Sequence, residues 1–225
     1  MLKRPALRTE ELFGSVQTLI DEVKRGGDAA VLSLEERFDK VKLTQLEVSE
    51  EERQEGEAAV NDELKEAIRL AACNIETFHA AQRFEGKQVQ TQPGVTCWQQ
   101  AVPIEKVGLY IPGGTAPLFS TVLMLALPAR IAGCSEVVLC TPPGRDGRVH
   151  PAVLYAAGVA GVKRIFKVGG VQAIAAMAYG TESIPAVDKI FGPGNRYVTA
   201  AKQYVGGKVV SIDMPAGPSE VMVLA

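Results

Sequence analysis

The chain has 225 residues, of which 47% are hydrophobic and 22% are charged, and its formal net charge is -2 at pH 7. This near-neutral balance gives no electrostatic reason to expect a nucleic acid or an anionic membrane as a partner, so it favours small molecules or proteins. The four cysteines show no Cys-x-x-Cys spacing, and no apolar run reaches the roughly 18 residues that a membrane span requires. We therefore expect a cytoplasmic protein whose cysteines are reduced.

The first part of the chain has the hydrophobic spacing of helices. Apolar residues recur every three or four positions over residues 12–23 and stop at Gly26-Gly27, and a second helix is predicted directly after the two glycines. Ser49, with Glu52 three positions later, has the pattern of a capping box at the start of a further helix. Residues 9–84 are accordingly predicted to be helical.

The hydrophobic pattern changes after this helical segment. Residues 89–98 alternate around Gln92-Pro93-Gly94, which predicts two strands joined by a turn. The change marks a boundary near residue 86. It predicts a helical amino-terminal segment at 1–86 and a Rossmann-like α/β domain at 87–225.

Beyond the boundary, strands and helices alternate along the chain. Short, fully apolar strands are typical of a sheet that is covered on both faces. Their alternation with helices predicts an α/β fold with a doubly wound, mostly parallel sheet, whose ligands bind beyond the carboxyl ends of the strands. The predicted strands are 107–111, 137–140, 165–168 and 189–191, and the predicted helices are 120–132, 153–160, 172–178 and 197–205.

Glycine-bearing turns fall at that edge of the predicted sheet. A glycine directly after a strand lets the backbone approach a ligand closely, and the N–H groups that open the next helix attract phosphate. A Gly-x-Gly-x-x-Gly motif is absent from the sequence, so each turn can equally be a plain strand-to-helix connection. The turns are Gly113-Gly114, Gly169-Gly170, Gly192 to Gly194, and Ala216-Gly217.

Polar side chains accompany three of these turns, and each has two interpretations. Tyr110, at the end of a strand, is either a half-buried core aromatic or a contact for ribose or phosphate. Gln172 opens a helix, where a surface cap is the plainer interpretation. Asn195 follows a Gly-Pro-Gly bend and can stabilise the turn itself.

The two histidines, His79 and His150, lie far from these turns in the sequence. His79 is predicted to pack on a helix or face solvent, and His150 lies in a polar loop. No short-range spacing of His, Cys, Asp or Glu indicates a zinc site. The sequence therefore predicts binding loops without an evident acid–base catalyst.

Several longer runs of residues, in order along nearly the whole chain, share the pattern of one known family. They are residues 74–79 (Asn-Ile-Glu-Thr-Phe-His), 92–95 (Gln-Pro-Gly-Val), 107–114, 116–124, 168–176, 189–195 (Lys-Ile-Phe-Gly-Pro-Gly-Asn) and 212–220 (Ile-Asp-Met-Pro-Ala-Gly-Pro-Ser-Glu). The chain resembles the histidinol dehydrogenases, zinc- and NAD-dependent enzymes that complete histidine biosynthesis.

The resemblance implies roles for four residues. NAD contacts fall at Tyr110, Gln172 and Asn195, and a contact with the substrate L-histidinol falls at Ser219. The family's reaction oxidises the alcohol to L-histidine in two hydride transfers to NAD, through a bound aldehyde. Zinc would hold the substrate while a Glu–His pair moves protons.

Members of that family are considerably longer than this chain. The resemblance places the first zinc ligands, a glutamine and a histidine, soon after the position of Ala225, and the other ligands and the Glu–His pair later still. It thus implies an amino-terminal portion with the cofactor side of the cleft, no catalytic residue and no metal ligand in this chain, and a homodimer when complete. The alternative is a catalytically silent nucleotide-binding or assembly fragment.

Overall fold

A computed structural model describes residues 12–114 and 116–215 of the chain. Each strand and helix predicted after residue 86 is present, with only small shifts of its bounds. The helices are α1 (Phe13–Phe38), α2 (Glu50–Ala59), α3 (Asp62–Ala80), α4 (Phe119–Ala132), α5 (Pro151–Ala160), α6 (Gly170–Tyr179) and α7 (Arg196–Val205). The strands are β1 (Gln88–Gln92), β2 (Val95–Trp98), β3 (Lys106–Tyr110), β4 (Glu136–Thr141), β5 (Arg164–Lys167), β6 (Lys189–Phe191) and β7 (Ser211–Ile212).

The main sheet has the order β5-β4-β3-β6-β7, and all of its strand pairs are parallel. The chain builds outward from β3 to β5 on one side, then returns to the centre and builds outward through β6 and β7. This reversal of direction is the topological switch point of a doubly wound sheet, and it lies between β3 and β6. The predicted fold class is confirmed. Strands β1 and β2 form a separate antiparallel hairpin.

Helices cover both faces of the sheet. On one face α1, α6 and α7 share a core with β4, β5 and β6, and on the other α3, α4 and α5 do so with β3, β4 and β5. Side chains of a strand point alternately to the two faces. In β3, Leu109 therefore packs under α4 and α5, whereas Tyr110 points to the side of α1 and α6. The division near residue 86 stays a prediction about the organisation of the chain.

The element α1 contains two helical segments that meet at Gly26-Gly27, as predicted. Gly27 has φ 52° and ψ -137°, which is not helical and favours glycine. The amide of Asp28 donates to Glu182 Oε2 at 2.6 Å, which anchors the start of the second segment to the residues after α6. The predicted stop and the helix that follows it are thus confirmed.

The prediction of helix throughout residues 9–84 is wrong for residues 40–48. This segment runs along the outer edge of β5, where the amide of Lys167 donates to the Leu46 carbonyl at 2.8 Å and the amide of Val48 donates to the Ile165 carbonyl at 2.8 Å. An edge strand carries backbone groups that need partners, and this segment supplies them.

The capping box at Ser49 is half correct. Ser49 Oγ accepts the amide of Glu52 at 3.1 Å, as predicted. The Glu52 carboxylate does not reach back to Ser49; it binds Lys167 Nζ at 3.0 Å and the amide of Val149 at 3.1 Å. Lys167 is buried at the end of β5, and a buried charge requires a partner. Glu52 therefore pairs with Lys167 and not with the backbone amide of Ser49.

Among the helices that the structure describes, none combines the length and the apolar character needed to cross a bilayer.

Candidate functional site

The switch point between β3 and β6 lies at the carboxyl edge of the sheet, and the space beyond the strand ends there is the crevice in which doubly wound folds bind ligands. The loop after β6 passes directly against the end of β3, because a Cβ atom on Gly192 would overlap the carbonyl oxygen of Tyr110. Gly192 also has φ 128°, so both its surroundings and its conformation require glycine. In doubly wound sheets, ligands bind at this position.

The loops after β3, β4 and β5 pack together beside that crevice. Pro142, which follows β4, lies between two glycines: a Cβ atom on Gly113 would come within 2.5 Å of the proline ring, and one on Gly169 within 2.7 Å. These loops therefore approach one another more closely than side chains would allow. A cleft runs from Gly113 past Pro142 towards Arg145 and the start of α5.

Tyr110 lies almost completely buried at the end of β3, with 3% of its surface exposed. Its hydroxyl oxygen accepts the amide of Gly170 at 3.1 Å, which links β3 to the first turn of α6. Burial raises the pKa of the phenol to about 12, so the hydroxyl keeps its proton at neutral pH. Tyr110 is therefore more deeply buried than the half-buried aromatic that the sequence suggested.

Gln172, in the first turn of α6, is also buried, with 2% of its surface exposed. Its Nε2 donates to Glu35 Oε1 at 2.8 Å. The interpretation of Gln172 as a surface cap is therefore wrong. The side chain is held from behind by a carboxyl group from α1.

Sequence reasoning missed Glu35, which has no exposed surface. Burial, followed by the neighbouring Asp39, raises the pKa of Glu35 to about 7, against the lowering effect of its bonds to Gln172 and Gly169. Burial also raises the pKa of Asp39. The sequence did contain a signal, since Glu35 lies four positions after Val31 on the apolar face of α1, where a solvated glutamate is not expected.

Asn195 stands on the other side of the crevice and is the N-cap of α7. Its Oδ1 accepts the amides of Tyr197 at 3.0 Å and Val198 at 3.1 Å. The turn-stabilising interpretation is therefore confirmed for the oxygen. Asn195 is exposed, and its amide NH2 group lies at the helix N-terminus, where anions are favoured.

A second feature that the sequence analysis missed holds the loop before Asn195. Lys202, 6% exposed on α7, donates to the carbonyl oxygen of Gly192 at 2.7 Å and forms an ion pair with Asp213. Asp213 Oδ2 accepts the amide of Gly192 at 2.9 Å. Both backbone groups of Gly192 are thus bound by one ion pair. A lysine between Ala201 and Val205 on the buried face of α7 was the available signal.

The structure therefore brings Tyr110 and Gln172 together around the Gly169-Gly170 loop, and it places Asn195 on the neighbouring loop after β6. Ser219 and the Ala216-Gly217 turn lie outside the described residues.

The histidines have local roles in this structure. His150 caps α5, because its Nδ1 accepts the amide of Ala152 at 3.2 Å, and the ring of His79 packs edge-on against Phe78. Within residues 12–114 and 116–215, no group of three or more His, Cys, Asp or Glu side chains is arranged to hold a metal ion.

A doubly wound sheet with glycine loops at its switch point defines the Rossmann-like class of α/β folds. The family model for histidinol dehydrogenase matches residues 2–225. The chain belongs to the histidinol dehydrogenase family.

Individual relatives agree with this assignment. The histidinol dehydrogenase of Bacteroides thetaiotaomicron is 69% identical over 225 residues, which are 100% of this chain and 53% of that protein. The one from Xylella fastidiosa is 56% identical over 212 residues, 94% of this chain and 49% of that protein. A crystal structure of histidinol dehydrogenase from Elizabethkingia anophelis has a TM-score of 0.93 and 52% identity, and the match covers 96% of this chain and 50% of that one.

The chain spans about half the length of the curated relatives it matches. These findings support an amino-terminal portion of a histidinol dehydrogenase and do not favour the alternative of a silent assembly fragment.

Proposed function

We propose that a full-length protein carrying this chain oxidises L-histidinol to L-histidine through a bound aldehyde, with two hydride transfers to NAD. Family membership across residues 2–225, joined to a glycine-built crevice at the switch point, is the observation that carries this proposal. Each hydride transfer removes two electrons and one hydrogen from the substrate carbon. A water molecule supplies the second carboxylate oxygen, and the remaining hydrogens leave as protons.

The residues around the crevice fit a dinucleotide. Gly113 and Gly192 let the loops after β3 and β6 pack closely at the sheet edge, and the exposed N-terminus of α7 favours negative charge. We assign NAD contacts to the Tyr110 hydroxyl group, the Gln172 amide and the Asn195 NH2 group. NAD, when bound, supplies the hydride acceptor; these residues bind and orient it.

Zinc and the substrate contact at Ser219 belong to the same proposal. The described residues provide no ligand set for zinc, so no step of the reaction is derived through the metal. Ser219 is proposed to hold L-histidinol on the basis of the family pattern alone. A cytoplasmic homodimer is proposed for the complete protein on the same basis.

The proposal is tested with two substitutions in a full-length protein that carries this chain. Asn195→Ala is expected to raise the NAD Michaelis constant a few-fold to roughly tenfold, since one hydrogen bond is worth about 0.5–1.5 kcal/mol, and to leave the value for histidinol nearly unchanged. Ser219→Ala is expected to do the opposite. Steady-state kinetics with each substrate varied in turn measure both effects.

Two outcomes contradict the proposal. One is a full-length protein that forms no NADH from NAD and L-histidinol, with or without zinc. The other is that Asn195→Ala and Ser219→Ala each shift the Michaelis constants for NAD and histidinol equally. The loops would then have a structural role as turns and no role in binding. The 225-residue chain alone is the matched control, and we expect it to show no turnover with or without added zinc, because the resemblance places the Glu–His pair outside it.

A further inference from the structure

The carboxyl group of Glu35 is completely buried behind the loop that leads from β5 into α6. Its Oε1 accepts two hydrogen bonds, from the amide of Gly169 at 3.0 Å and from Nε2 of Gln172 at 2.8 Å. Burying a carboxyl group is costly unless its hydrogen bonds compensate for the lost water. Both compensating bonds go to the loop and the side chain assigned to NAD.

The second oxygen of Glu35, Oε2, has no hydrogen-bond partner within the described part of the chain. Asp39, the C-cap residue of α1, also lies at this loop, since its Oδ2 would be 3.4 Å from a Cβ atom on Gly169. Burial, followed by the nearby Asp39 carboxyl group, raises the pKa of Glu35 and favours the protonated acid.

The bonds of Glu35 also determine which way the Gln172 amide points. Gln172 Nε2 faces the carboxyl group, and a rotated amide would instead bring Oε1 against the oxygen of Glu35, which is repulsive. Gln172 Oε1 lies over Gly170, where a Cβ atom would come within 2.9 Å of it. The conformation of Gly170, with φ 57°, and the direction of the amide are thus fixed together.

We propose that Glu35 is a positioning residue of the nucleotide site: its Oε1 holds the Gly169 amide and the Gln172 NH2 group, and thereby fixes the loop and the side chain that are assigned to NAD. This inference rests on the proposed function, because it deepens the NAD site.

The raised pKa of Glu35 makes NAD binding dependent on pH. The titratable groups that act on Glu35 are Asp39 at the C-cap of α1, Tyr110 on β3 and Cys140 on β4; no cation in the described residues contributes to its pKa. Glu35 loses its proton as the pH rises through about 7. The ionised carboxylate then adds negative charge behind a loop that is assigned to an anionic dinucleotide, so NAD affinity falls.

The test compares Glu35→Gln with Glu35→Ala in a full-length protein that carries this chain, with Glu36→Ala, an exposed neighbour on α1, as control. Glutamine reproduces the protonated acid, because it is uncharged and its oxygen accepts both bonds. Alanine removes both bonds. NAD dissociation constants are measured by calorimetry at pH 6 and pH 8, and Michaelis constants for both substrates in parallel.

We expect Glu35→Ala to weaken NAD about tenfold at pH 6 and to change the histidinol Michaelis constant less than twofold. Glu35→Gln should match the wild type at pH 6 and keep that affinity at pH 8, where the wild type weakens. The inference is overturned if Glu35→Gln follows the wild-type pH dependence, or if Glu35→Ala only lowers the melting temperature. If NAD affinity follows this pattern in the wild type and the variants but the protein does not oxidise histidinol, the proposed function is contradicted and the inference stands. A wild type that binds no NAD overturns both.

Discussion

Each of the two loops that flank the crevice is held by buried ionisable groups, called a brace below. The two braces differ in charge. The Gly169-Gly170 loop rests on Glu35, a buried acid whose closest charged neighbour is another acid, Asp39. The Gly192 loop rests on an ion pair between Lys202 and Asp213. Each brace fixes a loop that leads into a helix, and the first titrates near neutral pH because the pKa of Glu35 is raised to about 7. One wall of the crevice is therefore sensitive to pH, and the other depends on a pair of opposite charges.

The braces also differ in their separation along the chain. Glu35 lies 134 residues before Gly169, whereas Lys202 lies 10 residues after Gly192. The first brace therefore couples the Gly169-Gly170 loop to the packing of α1, and the second is local to the β6–α7 connection. Loss of the Glu35 brace should affect ligand binding through the packing between α1 and α6. Loss of the Lys202 brace should affect the folding of the β6–α7 connection.

The largest effect is expected from Gly192→Ala, which adds a side chain where the loop after β6 contacts β3. The added Cβ atom overlaps the Tyr110 carbonyl oxygen, and φ 128° is unfavourable for alanine. We expect a loss of more than about 4 kcal/mol of unfolding free energy, or no folded protein. Gly207→Ala is the matched control, because Gly207 has φ 72° with open space around it, and it should lose only about 1–2 kcal/mol. Equal losses in chemical denaturation would show that the close approach to β3 is unimportant.

Lys202→Met removes the charged brace. It leaves Asp213 unpaired and the Gly192 carbonyl without its donor, so we expect a loss of about 3 kcal/mol. Lys163→Met, at an exposed lysine, serves as control and should change stability by less than about 0.5 kcal/mol. Thermal and urea unfolding measure both. A Lys202→Met protein as stable as its control would mean that the ion pair does not hold the loop.

The acidic brace predicts how stability depends on pH. The pKa of Glu35 is raised from 4.5 to about 7 in the folded state, so the folded protein binds more protons than the unfolded chain between these values. The contribution of this group is fully present below about pH 4.5 and is lost as the pH rises to about 7. The free energy of unfolding should therefore fall more steeply over this interval in the wild type than in Glu35→Gln. Parallel curves for the two proteins would exclude a raised pKa at this position.

The smallest effect separates the two roles of Asn195. Asn195→Ala should lower stability by about 1 kcal/mol through loss of the N-cap. Asn195→Asp keeps an oxygen that caps α7 but replaces the NH2 donor with negative charge, so it should retain the melting temperature and weaken NAD more than alanine does. Calorimetry and thermal unfolding provide the two readouts. Unchanged NAD affinity in Asn195→Asp would leave Asn195 with the capping role alone.

Much of the fold could be predicted from local pattern. Strands such as residues 189–191 were bounded by glycine and proline, and the alternation of apolar strands with helices indicates a parallel sheet without reference to distant residues. The prediction failed for residues 40–48, which have little pattern of their own and are held in place by backbone bonds to the edge of β5. The strand order, and with it the switch point, also depends on contacts between distant segments.

The candidate site shows the same division. The loops at Tyr110, Gln172 and Asn195 were predicted from their glycines and from the resemblance to a family, and the capping role of Asn195 follows from residues two and three positions away. Glu35 and Lys202 were missed because a charged residue on an amphipathic helix ordinarily faces water. In the sequence, each is recognisable only as a charged residue on the apolar face of a helix, outside the loops.

The doubly wound α/β class, the turns at the sheet edge and the family follow from the amino-acid sequence alone, since hydrophobic period and turn chemistry are local properties of the chain. Which buried charges support those turns depends on packing between distant segments. A buried carboxyl or ammonium group is tolerated where a partner compensates for lost hydration, and the partner of Glu35 lies more than half the chain away in sequence. The pH-sensitive wall of the crevice is therefore a property of packing between α1 and α6, which no local pattern records.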